Sequence, residues 1–388
     1  MKLYLKISIL LFCALLANIS NASQSSYSHK KLTEKVHIVT KHFNDMANIG
    51  EANISFGVIK GKEGLLLINS MVAWDVSNFV TELKKISDLP VKYVLNNNYD
   101  GNNTELNAYF AAKGAQIISH KALKYSDVFT QKLIDDGFTM QFGGQTITAH
   151  HSQGHSFGQI NIHLKEANVL FMADSYRSDW LTVFGPKGID GHISGLKQAL
   201  AIADENTLIV SGVVLKEKLF ADVSDIKRQI SSSQLFKSLI QKHTKKGLSP
   251  EQIATHQDIT TFFETYYPKR KYHQWFVHRV RPAVNFHATP RFDATNKDKN
   301  ALLGQYVSDN GKIFEIIKEG DDFIARSINH YMLPLKWTQE DTLLVTSSER
   351  DDKLLIKRNS DEEITHLRLS LDDNWKKKYM GAYVWTKL

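Results

Sequence analysis

Cysteine is nearly missing from this chain: among 388 residues only Cys13 occurs. It lies in an apolar run, residues 7–17, that follows Lys2 and Lys6 and precedes Ser20-Asn21-Ala22. A basic start, a short apolar run and small residues at a cleavage site are the marks of an export signal. Phe12, directly before Cys13, is too bulky for a lipoprotein signal. Cleavage is therefore expected after Ala22, which removes residues 1–22 and the cysteine with them. The mature chain then forms no disulfide and offers no thiolate to a metal. Export without disulfides suits a bacterial periplasm, or a secreted product, better than a disulfide-built scaffold. A long apolar run is lacking too: residues 7–17 are too few to span a bilayer, so no stable membrane span is expected after cleavage.

Strong charge of one sign is also absent. The formal charge is +7 and falls to +5 once Lys2 and Lys6 are removed. Basic residues are scattered, and the densest cluster, Lys269-Arg270-Lys271, follows Pro268 in a loop. No nucleic-acid module is expected from such a distribution. Neither a glycine-rich phosphate loop nor a serine-nucleophile elbow occurs, so nothing supports those chemistries.

What is present is hydrophobic period. Residues 36–43, 53–59 and 64–68 read as strands with a turn at 60–63. Val76, Phe79, Val80, Leu83 and Ile86 take the spacing of one helix face. Residues 91–95 read as a buried strand, 105–113 as a helix and 116–119 as a strand. Further strands are expected at 138–142, 146–151, 159–164, 169–172 and 207–210, with a helix at 196–203. This order predicts an α/β fold, an αββα sandwich over residues 34–215. Residues 216–285 are helical by pattern, and Ser249-Pro250-Glu251 is a good helix start. Residues 286–301 are polar, contain Pro290 and read as a linker. Residues 302–388 alternate in short stretches between turns, the pattern of a small antiparallel β domain. Residues 23–30 are polar and are expected to be disordered.

One strand-to-helix turn concentrates polar groups: Asn96-Asn97-Asn98-Tyr99-Asp100-Gly101-Asn102-Asn103-Thr104. Such turns place functional groups at the carboxyl edge of a sheet, and asparagine also suits tight turns for backbone reasons alone. The order of elements over residues 34–285 resembles the metallo-β-lactamase-fold hydrolases. Gly57-Val58-Ile59 with Gly64-Leu65-Leu66-Leu67-Ile68 is similar to their opening hairpin. Gly154-His155-Ser156 resembles their later Gly-His turn, residues 167–174 their strand ending in aspartate, and Ser211-Gly212 the run into their last ligand. Gly247-Leu248-Ser249-Pro250-Glu251 resembles the helical tail of one exported branch. In the last domain, Leu302-Leu303-Gly304-Gln305-Tyr306 is similar to β-barrel modules appended to serine β-lactamase-like hydrolases.

The resemblance implies a two-zinc site built on a turn His-x-His-x-Asp-His. Here that turn reads Asn98-Tyr99-Asp100-Gly101-Asn102-Asn103, Val213 stands where the last histidine belongs, and Asn69 replaces an aspartate. By that layout Asn98, Asp100 and His155 would form the first metal site. Asn102, Asn103 and Val213 would form the second, with Asp174 bridging. Zinc takes imidazole, thiolate or carboxylate, so the second site is read as lost. The cofactor expectation is none, or one weakly bound divalent cation, zinc or a harder ion. Two functions follow: a pseudo-hydrolase binding a small-molecule ligand or protein partner, or a mononuclear metal-dependent hydrolase of an ester, lactone or amide. His120, His150, His151 and His192 are read as structural, and Tyr99 and Tyr176 as walls of the cleft.

Overall fold

The computed structural model describes residues 26–44, 51–126, 128–152, 154–214, 218–268, 273–319, 322–327, 332–370 and 384–388. The expected signal, residues 1–22, and Lys269-Arg270-Lys271 lie outside the described residues. Two sheets stack face to face. The first holds β1 Ser26–Lys31, β2 Val36–Phe43, β3 Ala52–Lys60, β4 Leu65–Ile68, β5 Val91–Leu95, β6 Gln116–His120 and β7 Lys132–Ile134, in that spatial order. Its first four strands pair antiparallel, and β4 to β7 run parallel. The second holds β8 Phe138–Phe142, β9 Gln145–His151, β10 Ile160–Leu164, β11 Val169–Ala173, β12 Leu208–Ser211 and β13 Phe220–Ala221, neighbouring in reverse order.

Strand alternation builds the layers. Along β11, Val169 and Phe171 face the first sheet while Leu170 and Met172 face helices, as expected of a strand covered on both sides. Between the sheets Phe171 shares one core with Ile38, Ile68, Leu95, Ile118, Ile147 and Ile162. Helices α1 Val76–Lys84, α2 Gly101–Thr104 and α3 Asn107–Ala112 lie along the first sheet, where Phe79, Leu83 and Phe110 bury against its outer face. Helices α4 Gly188–Ile202 and α5 Val223–Thr244 cover the second through Leu196, Ala199 and Ile226. The αββα sandwich read from the sequence is the architecture of the molecule.

Local readings needed correction in three places. Residues 26–31 are not disordered: they form β1 by pairing with β2, and backbone hydrogen bonding overrides their polar side chains, which stay largely outside. The helix expected at 196–203 begins earlier, at Gly188. The helix after β5 starts inside the polar turn, so Asn102 and Asn103 are helical.

The helical extension continues with α6 Pro250–Ala254, α7 Gln257–Tyr266 and α8 His273–His287, packed around Trp180, Phe236, Phe263 and Phe276. Ser249 opens α6 with a reciprocal capping box to Gln252. The segment 286–301 contains the end of α8 and most of α9 Asn296–Leu302, and Ala294 within it joins the core of the last domain. That domain is a closed barrel of eight antiparallel strands, from Gly304–Ser308 to Val384–Lys387. Tyr306, Phe314, Phe323, Trp337 and Trp385 fill its interior. No helix among the described residues is long and apolar enough to cross a membrane.

Candidate functional site

The carboxyl ends of β5 and β11 bring the turn after each to one edge of the sandwich. At the end of β11 the pairing with β12 slips between Phe171 and Ala173, and Ala173 takes a φ of 41°. That bulge turns Asp174 inward, where its Oδ1 accepts from the backbone N–H of Val213 at 3.2 Å. Gly212 leaves the room: a Cβ there would stand 2.5 Å from Asp174 Oδ1. Asn69, with a φ of 69°, accepts from the N–H of Asn97 at 3.0 Å and so anchors the start of the polar turn.

Asn98 is the hub. Its Nδ2 donates to Asp100 Oδ2 at 2.9 Å and to Asp174 Oδ2 at 3.0 Å. Its Oδ1 accepts from the N–H of Asp100 at 3.1 Å and from Asn103 Nδ2 at 2.7 Å. These four bonds fix the amide orientation, because a flipped Asn98 would aim its oxygen at two carboxylates. His155 closes the cluster with Nε2 3.0 Å from Asp100 Oδ2. Its Nδ1 lies 3.1 Å from Val183 O and 3.2 Å from Thr182 Oγ1. A carbonyl can only accept, so Nδ1 carries a proton, and Nε2 facing a carboxylate carries one too. The ring is therefore an imidazolium. Burial alone would pull its pKa down, but the charge and hydrogen bond of Asp100, with Asp174 and Val183 O, hold it at about 9. Burial pushes the Asp174 carboxyl above its usual range; His155 pulls against that push and Asp100 adds to it.

The structure thus joins Asn98, Asp100, Asn103, His155 and Asp174 in one network. Val213 contributes its backbone N–H and an apolar side chain that packs in the core beside the first sheet. Asn102 Nδ2 is buried without a hydrogen-bond partner among the described residues. Two metal ions do not fit these residues: the second set offers two amides and a valine, which supply no zinc ligand of ordinary type. One ligand atom each of Asp100, His155 and Asp174 lie within 4.8 Å of one another. A cation between the carboxylates, however, competes with the Asn98 amide that already bridges them.

The other histidines are accounted for by packing. His120 stacks on His151 at 4.0 Å between ring centroids, and burial with the neighbouring His151 lowers it to about 4. His151 Nε2 bonds Phe157 O at 2.6 Å, and His150 Nε2 bonds Thr148 Oγ1 at 3.0 Å. His192 lies on α4, fully buried beside Phe184, and both ring nitrogens lack a hydrogen-bond partner among the described residues. Tyr176 is no cleft wall: it is buried in the helix-side core with Leu170 and Met172. A second group, His243, His256 and Asp258, also has ligand atoms within 4.8 Å. Its single carboxylate is already paired through Oδ2 with Lys242 Nζ at 2.7 Å and His243 Nε2 at 2.9 Å, while His256 Nδ1 caps α7. This group ties α5 to α7.

Thr182, Val183 and Arg279, which hold the site from behind, carry no motif that sequence reading could have found. Only the tertiary hydrogen bonds place them there.

No protein-family model matches the chain, and no curated protein does. Among solved structures the chain is similar to a metallo-beta-lactamase from Pontibacter korlensis, at 15% identity and a TM-score of 0.48, over 54% of this chain and 99% of that one. It is also similar to a metallo beta lactamase from Hirschia baltica, at 12% identity and a TM-score of 0.45, over 53% and 97%. A mutant flavo di-iron protein from Thermotoga maritima aligns at 10% identity and a TM-score of 0.45, over 58% and 72%. Likenesses of this size transfer no activity. By its own layers, with two sheets between helices and the turns after β5 and β11 meeting at one edge, the chain is an αββα sandwich.

Proposed function

We propose that this chain is an exported metallo-β-lactamase-fold protein that has given up two-metal hydrolysis and uses the cleft to bind a ligand or protein partner. The observation that carries this reading is the Asn98 amide. Its two N–H groups bridge Asp100 and Asp174, where the fold's metal chemistry would require a cation. Within the cluster the His155 imidazolium, held by Asp100 and Val183 O, offsets one of the two carboxyl charges. The amide hydrogen bonds and the ion pair thus hold the two carboxyl groups together without a dication. A bound metal, if held, would polarise a carbonyl and acidify water.

The test is elemental analysis of the purified mature protein after dialysis, with turnover of β-lactams and simple esters. Far less than one equivalent of zinc and background hydrolysis are expected. Stoichiometric metal that Asp100→Ala or His155→Ala abolishes, with hydrolysis lost in parallel, would establish the mononuclear hydrolase instead. Export is checked separately: the N-terminus of the periplasmic protein should begin at Ser23.

A further inference from the structure

Residues 180–185 form the back wall of the cluster. Thr182 Oγ1 donates to Asp174 O, and Thr182 Oγ1 and Val183 O share the Nδ1–H of His155. The N–H of Gly185 donates to Gly154 O at 3.1 Å, which holds the turn bearing His155. From the other side the same segment is gripped by Arg279 of α8. Its Nε donates to Leu181 O at 2.9 Å, and its Cζ lies 6.0 Å from the centroid of the Trp180 ring. Arg279 is buried, and its Nη1 donates to Glu349 Oε1 at 3.2 Å. Glu349 belongs to the barrel, and its Oε2 lies 2.9 Å from His278 Nδ1.

We propose that Arg279 and Glu349 are positioning residues, through which the barrel sets the 180–185 segment and with it the orientation of His155 and Asp174. A guanidinium is planar with donors at fixed angles, so satisfying Leu181 O and Glu349 together fixes where Leu181 stands. Removing the carboxylate takes away the ion pair at Nη1, so the guanidinium loses the anchor that aims its Nε at Leu181 O. The path from the barrel to the cluster runs through two hydrogen bonds, Glu349 to Arg279 and Arg279 to Leu181, and then one residue along the chain to Thr182. The barrel is then part of the site. This holds whether or not the cleft takes a cation, so it stands or falls separately from the function proposed above.

The experiment uses the full-length protein with Glu349→Ala and Arg279→Lys, reading amide hydrogen exchange by mass spectrometry and the imidazole N–H resonances by NMR. In both variants exchange across residues 180–185 should accelerate at least tenfold, with the sheet strands and the barrel unchanged. The downfield Nδ1–H signal of His155, sheltered by Val183 O, should shift or vanish. Lysine does not rescue, because one ammonium cannot hold both acceptors at the guanidinium angles. Should Glu349→Ala fail to fold, Glu349→Gln, which keeps the shape and loses the charge, is read in the same way. Lys353→Ala, which breaks a barrel ion pair to Asp351 of 2.7 Å, serves as control and should leave residues 180–185 as in the unsubstituted protein. Unchanged exchange there, acceleration spread evenly over the chain, or an unmoved His155 signal overturns the proposal.

Discussion

Two histidines at the cleft, His155 largely enclosed and His192 fully buried, respond to pH in opposite senses. His155 sits between carboxylates and a carbonyl and titrates at about 9, above the ordinary value of 6.5. Its contribution to stability is complete below pH 6.5 and is lost as pH rises through 9. His192 is lowered to about 3, first by burial and then by the charge of His155. Its contribution is present above pH 6.5 and is lost as pH falls toward 3. His155→Gln is therefore expected to cost more at pH 6 than at pH 9.5 in urea unfolding, by on the order of 3 kcal/mol. His192→Leu should move the acid-unfolding midpoint to lower pH. Equal losses for His155→Gln at both pH values would show that its ring is not the imidazolium described.

At the scale of elements, the register slip between the parallel strands β11 and β12 governs where Asp174 points. A methyl group at Gly212 would meet Asp174 Oδ1 at 2.5 Å and the backbone of Ala173 and Asp174 at 2.6 and 2.7 Å. Backbone cannot step aside as a flexible side chain can. Gly212→Ala is expected to cost about 2 kcal/mol by overpacking, with an unchanged denaturant slope. A neutral substitution would mean that the bulge has slack. Strands such as β11 were legible because their apolar residues repeat every second position. The start of α4 was not: Gly188, Gly191 and Gly195 lower helix propensity, and packing decides against that preference. A Cβ on Gly195 would approach Ser152 Oγ to 2.4 Å, so close helix–turn contact selects the glycine. The same holds for β1, whose polar residues give no strand period but gain a partner in β2.

For the whole molecule, the barrel is fixed on the end of α8. Lys336 Nζ donates to Asn285 O at 2.6 Å and Phe286 O at 2.8 Å, carbonyls of the last helical turn, and to Thr289 O at 3.2 Å just beyond it. Burial pulls this ammonium down to about 8. Lys336→Met keeps much of the stem and deletes the three donors, leaving buried carbonyls unsatisfied at a cost of about 2 kcal/mol. Limited proteolysis should then cut within residues 288–295 sooner than in the unsubstituted chain, releasing an intact barrel. Identical cleavage kinetics would remove Lys336 from the clamp.

Hydrophobic period is a property of neighbours along the chain, and so the sequence by itself determined the layers: strands, flanking helices, a helical extension and a last β domain. Through the resemblance it also singled out Asn98, Asp100, His155 and Asp174, because each falls where a known pattern places a ligand. It could not determine what those residues do together. The Asn98–Asp174 bond joins positions 76 apart, and the Arg279–Glu349 pair positions 70 apart. An asparagine in a turn reads the same whether its amide faces water or two carboxylates. Only the tertiary structure decided that, because hydrogen bonds depend on distance and angle, which folding sets and chain order does not.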